Sequence, residues 1–486
     1  MNEIRPDPNR NLTNRPKLRH KISQVFSRAD LRIIYSVWRH PRAGLWAAAG
    51  VVSLGFLVAL EIVGRHYDLP GPPITTGLRE FVFPPKSGAL LYAGLALTAL
   101  VLTWRQRFIA FGTAIAIDLV IAAVRWAAGV QVTEGHPFGN GALWALMGCA
   151  VVAATRRTGR ERVLLLKGVG LGVLLVAGRK TGDIWLHITA KTRPMVLDQY
   201  VATADHALGN PSWLMGRLVT ASGPIGFTLL DFVYGQLAVA AVLVALYQLR
   251  HVAVERRFPR HHLVRTFLVI GLLGPAFYMI FPVVGPVFAY GTGAGHWSHL
   301  SLWWHTEPDA QWAVADLWPR TTIQVAAPHP MPFDGLTPRN CMPSLHTAWA
   351  TAIFIHSRKG PRGVRWAGTF WLAATLCATL GFGYHYGVDL IAGVVFTLTI
   401  EAALRAFDRG WDPAGMRLAA YGAAVFTALL LSYRFLPLQM AEHPWQAGPL
   451  LLLALLSVIY GYVRTTAQWE PGVASARQPQ PQPELV

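Results

Sequence analysis

Charge is scarce in this chain. Asp, Glu, Lys and Arg supply only 14% of its 486 residues, and acids are the rarer sign, 25 against 43 bases. So little charge over so long a chain argues against a soluble domain, and none is visible; it points to a polytopic membrane protein. The basic surplus does not make nucleic acid an expected partner. Its Lys and Arg residues sit in short runs between apolar segments rather than on one soluble domain. Cysteine is scarce too: Cys149, Cys341 and Cys377 have no metal-ligand spacing and form no disulfide framework. There is no H-E-x-x-H, and no metal or other cofactor is expected. No cleavable signal peptide is expected either, because about forty polar, basic residues precede the first apolar run.

What the chain has instead is apolar length. Twelve stretches are long enough to be read as membrane helices: 44–63, 88–104, 108–129, 140–155, 163–178, 222–248, 264–285, 343–357, 366–384, 387–404, 418–433 and 449–464. The expected fold is therefore all-α, a polytopic transmembrane bundle of about twelve spans. Residues 1–42 carry ten Lys and Arg against three acids. Further basic runs are Arg105 with Arg107, Arg156 to Lys167, Arg250 to Arg265, Arg358 to Arg365, and Arg405 to Arg417. With twelve spans all of these fall on one side, which the positive-inside rule makes the cytoplasm, with both termini. The expected location is a multi-pass protein of the plasma or inner membrane.

Two expected outer loops have unusual content. One, about 179–221, holds Arg179, Lys180, Lys191 and Arg193; the other, about 286–342, holds Trp297, Trp303, Trp304, Trp312 and Trp318. The tryptophans fit an interfacial aromatic belt, or a cover over a lipid headgroup site. In the third span, Asp118 and Arg125 are placed to pair on one helix face. The ending "ARQPQPQPELV" reads as a disordered tail.

Chemistry-bearing residues gather at one membrane surface. The eighth span opens with Cys341-Met342-Pro343-Ser344-Leu345-His346. A proline at or near the first helical position leaves free amides at a helix mouth, where anions bind. The junction of the ninth and tenth spans reads "GFGYHYGVDLIAGVV", residues 381–395, with His385 and Asp389 four apart on one helix face. "FPVVGP", residues 281–286, ends the seventh span on the same side. An Asp beside a His can fix an imidazole's tautomer and orientation. His385 can then attack phosphorus, and His346 can serve as acid and base. The bland readings are interfacial structural histidines and an ordinary helix cap. Zinc is a further alternative, since His346, His385 and Asp389 are all acceptable ligands.

Pro343-Ser344-Leu345-His346 and His385-Tyr386-Gly387-Val388-Asp389 resemble the P-S-G-H and H-x-x-x-D motifs of the membrane-bound phosphatidic acid phosphatase type 2 superfamily. The P-S-L-H form, the H-Y-x-x-D-x-x-A-G run, "DHALGNPSWL" (205–214) and "FPVVGP" look closer to its inositolphosphotransferases, related to fungal inositol phosphorylceramide synthase. The resemblance implies a six-helix catalytic core over 160–405. Around it lie a basic segment (1–43), N-terminal helices (44–159), C-terminal helices (406–468) and a tail (469–486). It implies His385 as nucleophile, Asp389 as its partner and His346 as acid/base. Ser344, Arg339, Lys191, Arg193 and Tyr384 are the candidate substrate contacts. Three departures stand out. The superfamily's lysine six residues before R-P is absent, and Lys191-Thr192-Arg193-Pro194 only echoes it. Thr379 stands where an arginine is usual, and Val287 follows the G-P where the branch has a basic residue.

The expected function is transfer of a phospho-headgroup, such as inositol phosphate, between membrane lipids at the extracytoplasmic face, through a phosphohistidine. A lipid phosphatase using the same residues is the first alternative. A transporter or flippase built around Asp118, Asp231 and Glu401 is the second.

Overall fold

A computed structural model of the chain describes residues 43–129, 135–289, 326–335 and 337–469; side chains are described from residue 48. The five tryptophans of the second outer loop, the basic segment before Ala43 and the proline-rich tail lie outside the described residues. The helices, in chain order, are α1 (Ala43–His66), α2 (Pro73–Arg79), α3 (Gly88–Ala99), α4 (Trp104–Ala127), α5 (Asn140–Arg156), α6 (Gly159–Thr192) and α7 (Asp198–Asp205). They continue as α8 (Pro211–Ala221), α9 (Gly223–Gly235), α10 (Leu237–Leu249), α11 (Val252–Glu255), α12 (Leu263–Ile280) and α13 (Pro286–Ala289). The last six are α14 (Leu345–Ser357), α15 (Arg362–Gly381), α16 (Gly387–Asp408), α17 (Pro413–Phe435), α18 (Pro437–Glu442) and α19 (Pro444–Ala467). Among the described residues the only sheet is a two-residue antiparallel pair, β1 (Met195–Val196) with β2 (His329–Pro330).

The fold is the all-α membrane bundle expected, and every one of the twelve apolar stretches carries helix. Among the described residues, seven helices are long and apolar enough to cross a membrane. The rest fall short for visible reasons. α14 has thirteen residues, about 20 Å of rise against a hydrocarbon core of about 30 Å. The stretch 222–248 is not one rod: the chain breaks at Gln236, so α9 falls short, whereas Leu237–Glu255, from α10 onward, is one of the seven. The expected outer loop 179–221 is largely helical. α6 runs on to Thr192 and stops just before Pro194, with Arg179 and Asp183 paired one turn apart at 2.9 Å.

Contacts divide the chain into two units, residues 1–61 with 77–173, and residues 62–76 with 174–486. In the first unit, α4 packs on α5, and α5 on α3. Asp118 and Arg125 are not a pair there; each holds backbone. Asp118 accepts from the Tyr92 hydroxyl (2.7 Å) and the Gly139 and Gly141 amides (2.8 and 2.7 Å). Arg125 donates to the Val82 carbonyl (2.6 Å) and to Asn140 Oδ1 (3.1 Å). The buried carboxylate thus serves as a cap for α5 supplied from a neighbouring helix.

In the second unit α16 is the axis: 78% of its apolar stretch is buried, whereas α10 and α12 reach 39%. It packs against α12, α14, α17 and α19, with Phe277, Phe396 and Phe426 meeting ring to ring at 4.9–5.6 Å. Gly393 sets the closest approach. A Cβ there would lie 2.6 Å from the Ser344 carbonyl oxygen, so only glycine lets α16 lie against the mouth of α14. Gly393→Ala is expected to separate the two motifs. Its activity should fall at least about tenfold, while the solubilised protein stays folded by circular dichroism; an unchanged rate would contradict the packing role.

Candidate active site

α14 begins with Ser344 as its N-cap; the serine oxygen accepts from the Thr347 amide at 3.3 Å. Pro343 lies just outside the helix rather than in its first turn. The Ser344 amide is engaged as well, donating to the Asp389 carbonyl at 3.3 Å. The helix mouth is therefore tied to α16. One residue into α14's first turn past Leu345, His346 is part-exposed. Its ring stacks on Tyr234 at 4.2 Å and 19°, with the Tyr234 hydroxyl 3.2 Å from its Nδ1. The His385 ring centroid is 6.4 Å away.

His385 is held from several sides. Its amide donates to the Thr379 carbonyl at 3.2 Å, and its carbonyl accepts from Ser212 Oγ at 2.6 Å. Its Nδ1 lies 3.0 Å from the Cys341 carbonyl. A carbonyl can only accept, so Nδ1 carries the proton and Nε2 keeps its lone pair. Asp389 sits 3.5 Å from the same nitrogen. Its Oδ2 takes the Cys341 thiol at 2.6 Å and the Tyr386 amide at 2.9 Å, and its Oδ1 is buried without a hydrogen-bond partner. The tautomer that the pattern attributed to Asp389 is thus fixed by the Cys341 carbonyl, with the Asp389 carboxyl close beside it. Burial pushes the His385 pKa down to about 4, so the ring is neutral at ordinary pH.

Two acids that the motifs do not mark build this corner. Asp205 accepts from the Val388 amide at 3.0 Å and from Gly387, capping α16 from the "DHALGNPSWL" segment. A Cβ on Gly387 would press on Pro211 of that same segment at 2.3 Å. Asp198 accepts from the Val284 and Gly285 amides (3.0 and 2.9 Å) and from the Tyr386 hydroxyl (3.0 Å), shaping "FPVVGP" against the site. Burial raises Asp198 to about 7 and Asp205 to about 8, with their amide donors pulling the other way. A carboxyl raised on folding holds a proton that the unfolded chain has already lost. The contribution of these two carboxyls to stability should therefore fall as pH rises from about 4 to about 8, opposed up to about pH 6.5 by the lowered His385. Thermal unfolding of parent and Asp205→Asn across that window checks this: relative to the parent, the variant's melting temperature should rise as pH goes up. Parallel profiles of the two proteins would contradict it.

The basic candidates separate. Arg339 is fully buried and gives Nη1 and Nη2 to the carbonyls of Thr337 (2.8 Å) and Met331 (2.6 Å); its Nε is buried without a partner. Lys191 lies over the Phe333 ring at 5.3 Å, and Arg193 is exposed. Arg179, which no motif marks, is within electrostatic reach of the His346 ring. Thr379, in the usual arginine position, spends its hydroxyl on the carbonyls of Thr375 and Leu376. Tyr384 is half-buried, its ring 5.2 Å from Tyr234 and 6.3 Å from Phe288. Burial, then the Asp231 charge, pushes its phenol up to about 12, so it remains a hydrogen-bond donor.

Two clusters have ligand atoms close enough to invite a metal: Cys341, His385 and Asp389, and, about 18 Å further along α16, His261, His356 and Glu401. Neither suits one as arranged. In the first, the His385 nitrogen that faces the cluster carries a proton. In the second, the Leu263 amide donates to Gln248 Oε1 at 2.9 Å, so the Gln248 NH2 donates to His356 Nδ1 at 2.8 Å. That puts the His356 proton on Nε2, which donates to Glu401 at 2.7 Å. Glu401 also accepts from Thr266 (2.6 Å), His261 (2.9 Å), Arg405 (3.1 Å) and Tyr462 (3.3 Å), which uses up its lone pairs.

The site is thus two histidines at a helix mouth in a multi-pass helical protein. Residues 199–403 match the model of the PAP2 superfamily, and that segment contains both histidines, Asp389, Asp205 and Tyr234. Residues 44–188 match a domain of unknown function (DUF5933). No curated protein and no solved structure matches the chain. The superfamily match supports a lipid phosphatase or phosphotransferase activity in general.

Proposed function

We propose that the protein is a membrane lipid phosphotransferase. It moves a phospho-headgroup, inositol phosphate in the branch its motifs resemble, from a donor lipid to a lipid alcohol. The observation that carries this reading is the tautomer of His385 set by the Cys341 carbonyl, which leaves Nε2 as a neutral nucleophile on a ring 6.4 Å from that of His346. In the first half-reaction the Nε2 lone pair attacks phosphorus and the P–O bond to the lipid breaks. The departing oxygen takes a proton from His346. In the second, His346 takes the proton of the acceptor hydroxyl, whose oxygen attacks phosphorus as the N–P bond breaks. Asp389, 3.5 Å from Nδ1, offsets the positive charge that develops on the phosphorylated ring. No metal enters these steps.

Arg179 is the cation this reading puts on the phosphate, with Lys191 and Arg193 at the headgroup's approach. Ser344 holds the helix mouth, Arg339 offers its unpaired Nε, and Tyr384 offers its phenol. The positive-inside pattern supports an extracytoplasmic site with both termini in the cytoplasm. The superfamily match over residues 199–403 lies inside the proposed core of 160–405 and supports a division into N-terminal helices, core and C-terminal helices. A transporter reading loses ground because Asp118 and Glu401 are spent on backbone and side-chain donors.

The test is a product assay in mixed lipid, with phosphatidic acid in one arm and phosphatidylinositol plus ceramide or diacylglycerol in the other. New phosphoinositol lipid by mass spectrometry is expected. Free phosphate alone would make water the acceptor and the protein a phosphatase. Neither product from folded protein would overturn the reading.

A further inference from the structure

We infer that Tyr234 is the positioning residue of the acid/base histidine, a role that rests on the phosphotransfer reading above. Tyr234 reaches His346 from α9, in another part of the fold, and grips it twice. Its ring lies flat on the imidazole, 4.2 Å between centroids and 19° from parallel, and its hydroxyl is 3.2 Å from Nδ1. The stack fixes the plane of the imidazole, and the hydroxyl fixes its rotation within that plane. Tyr234 is itself braced: its ring lies 5.2 Å from Tyr384 and 6.5 Å from Phe382, and Trp349 stands edge-on to His346 at 6.1 Å.

The consequence is chemical. With the tyrosine oxygen accepting from Nδ1–H, Nε2 is the atom of His346 that gives and regains the proton. In the first half-reaction His346, protonated when the anionic donor is bound, passes Nε2–H to the departing lipid oxygen while Nδ1–H stays on Tyr234, which leaves the ring neutral. In the second, Nε2 takes the acceptor's proton. The partner of the nucleophile, Asp389, is anionic when ionised and suits a ring that becomes cationic on phosphorylation. The partner of the acid/base group is a neutral phenol, which orients the imidazole without holding it in the protonated form. The two histidines are thus given different jobs by different partners.

An orienting role has a signature that a structural one lacks. An alkoxide leaving group needs the proton; a p-nitrophenolate does not. The experiment uses full-length protein in mixed lipid micelles and compares first-turnover rates on two donors. One is the lipid donor, phosphatidic acid or phosphatidylinositol, whose turnover is lost in His385→Ala. The other is the p-nitrophenyl ester of the same phosphate. Tyr234→Phe keeps the ring stack and removes only the hydroxyl. It is expected to slow release of the lipid alcohol about tenfold, with KM unchanged, and to leave the p-nitrophenolate burst within about twofold of the parent. His346→Ala should show the same selectivity more strongly. Equal losses on both donors, or no loss on either, would overturn the role of Tyr234 while leaving the phosphotransfer reading standing. If neither lipid is turned over in a His385-dependent way, the underlying reading itself falls.

Discussion

His385→Ala is expected to abolish turnover, at least about a thousandfold, without unfolding the protein. The side chain sits at the end of several constraints that do not depend on it. The Thr379 carbonyl holds its amide, Ser212 holds its carbonyl, and Asp205 caps the helix that begins two residues later. Removing the imidazole deletes the nucleophile and leaves that cradle standing. His385→Asn would keep much of the side-chain volume and should be equally inactive. Steady-state product formation, read beside a melting curve in detergent, checks both. A variant that retains most of its rate would remove His385 from the chemistry and revive a non-catalytic account.

The second large effect lies at the other end of α16 and is one of stability. Glu401 is fully buried and gathers His356, His261, Thr266, Arg405 and Tyr462 around one carboxylate. Those partners come from α12, α14, α16, α19 and the loop before α12, so the carboxylate ties most of the second unit together. Glu401→Ala leaves buried donors and a guanidinium without their anion. Such losses cost about 3–5 kcal/mol, enough to lower the melting temperature of a unit this large by about 5 °C. The folded fraction that survives should keep its lipid turnover, because Glu401 is about 18 Å from the histidine pair along the helix. A transporter would give the opposite pair of results, with transport lost in Glu401→Ala and intact in His385→Ala.

Much of this was legible in the sequence because it is local. The helices announce themselves as apolar runs. His385 and Asp389 announce a shared face by their spacing of four, and Pro343-Ser344-Leu345-His346 marks a helix mouth. What escaped is tertiary. Tyr234 and His346 are separated by 112 residues, Asp205 and Val388 by 183, and Ser212 and His385 by 173. No periodicity records such meetings. Asp205 did have a weak signal, since it opens "DHALGNPSWL", a segment quoted for resemblance whose physical purpose is to cap α16. Cys341 stood next to the motif, but its contribution is a backbone carbonyl, which side-chain reasoning does not weigh. Three other readings went astray for local reasons. α6 continues through the expected loop because nothing before Pro194 stops it. The run 222–248 breaks at Gln236 although it is apolar on both sides. Asp118 and Arg125 each found backbone partners in place of one another.

The central claim is a covalent phosphohistidine on His385, and trapping it is the most direct test. Protein mixed with labelled donor lipid, quenched within one turnover and kept at alkaline pH, should carry one acid-labile phosphoryl or phospho-headgroup adduct. Peptide mass spectrometry should place it on the segment containing His385, and His385→Ala should show none. Turnover with no adduct at His385 under single-turnover conditions, or an adduct that survives in His385→Ala, would contradict the account.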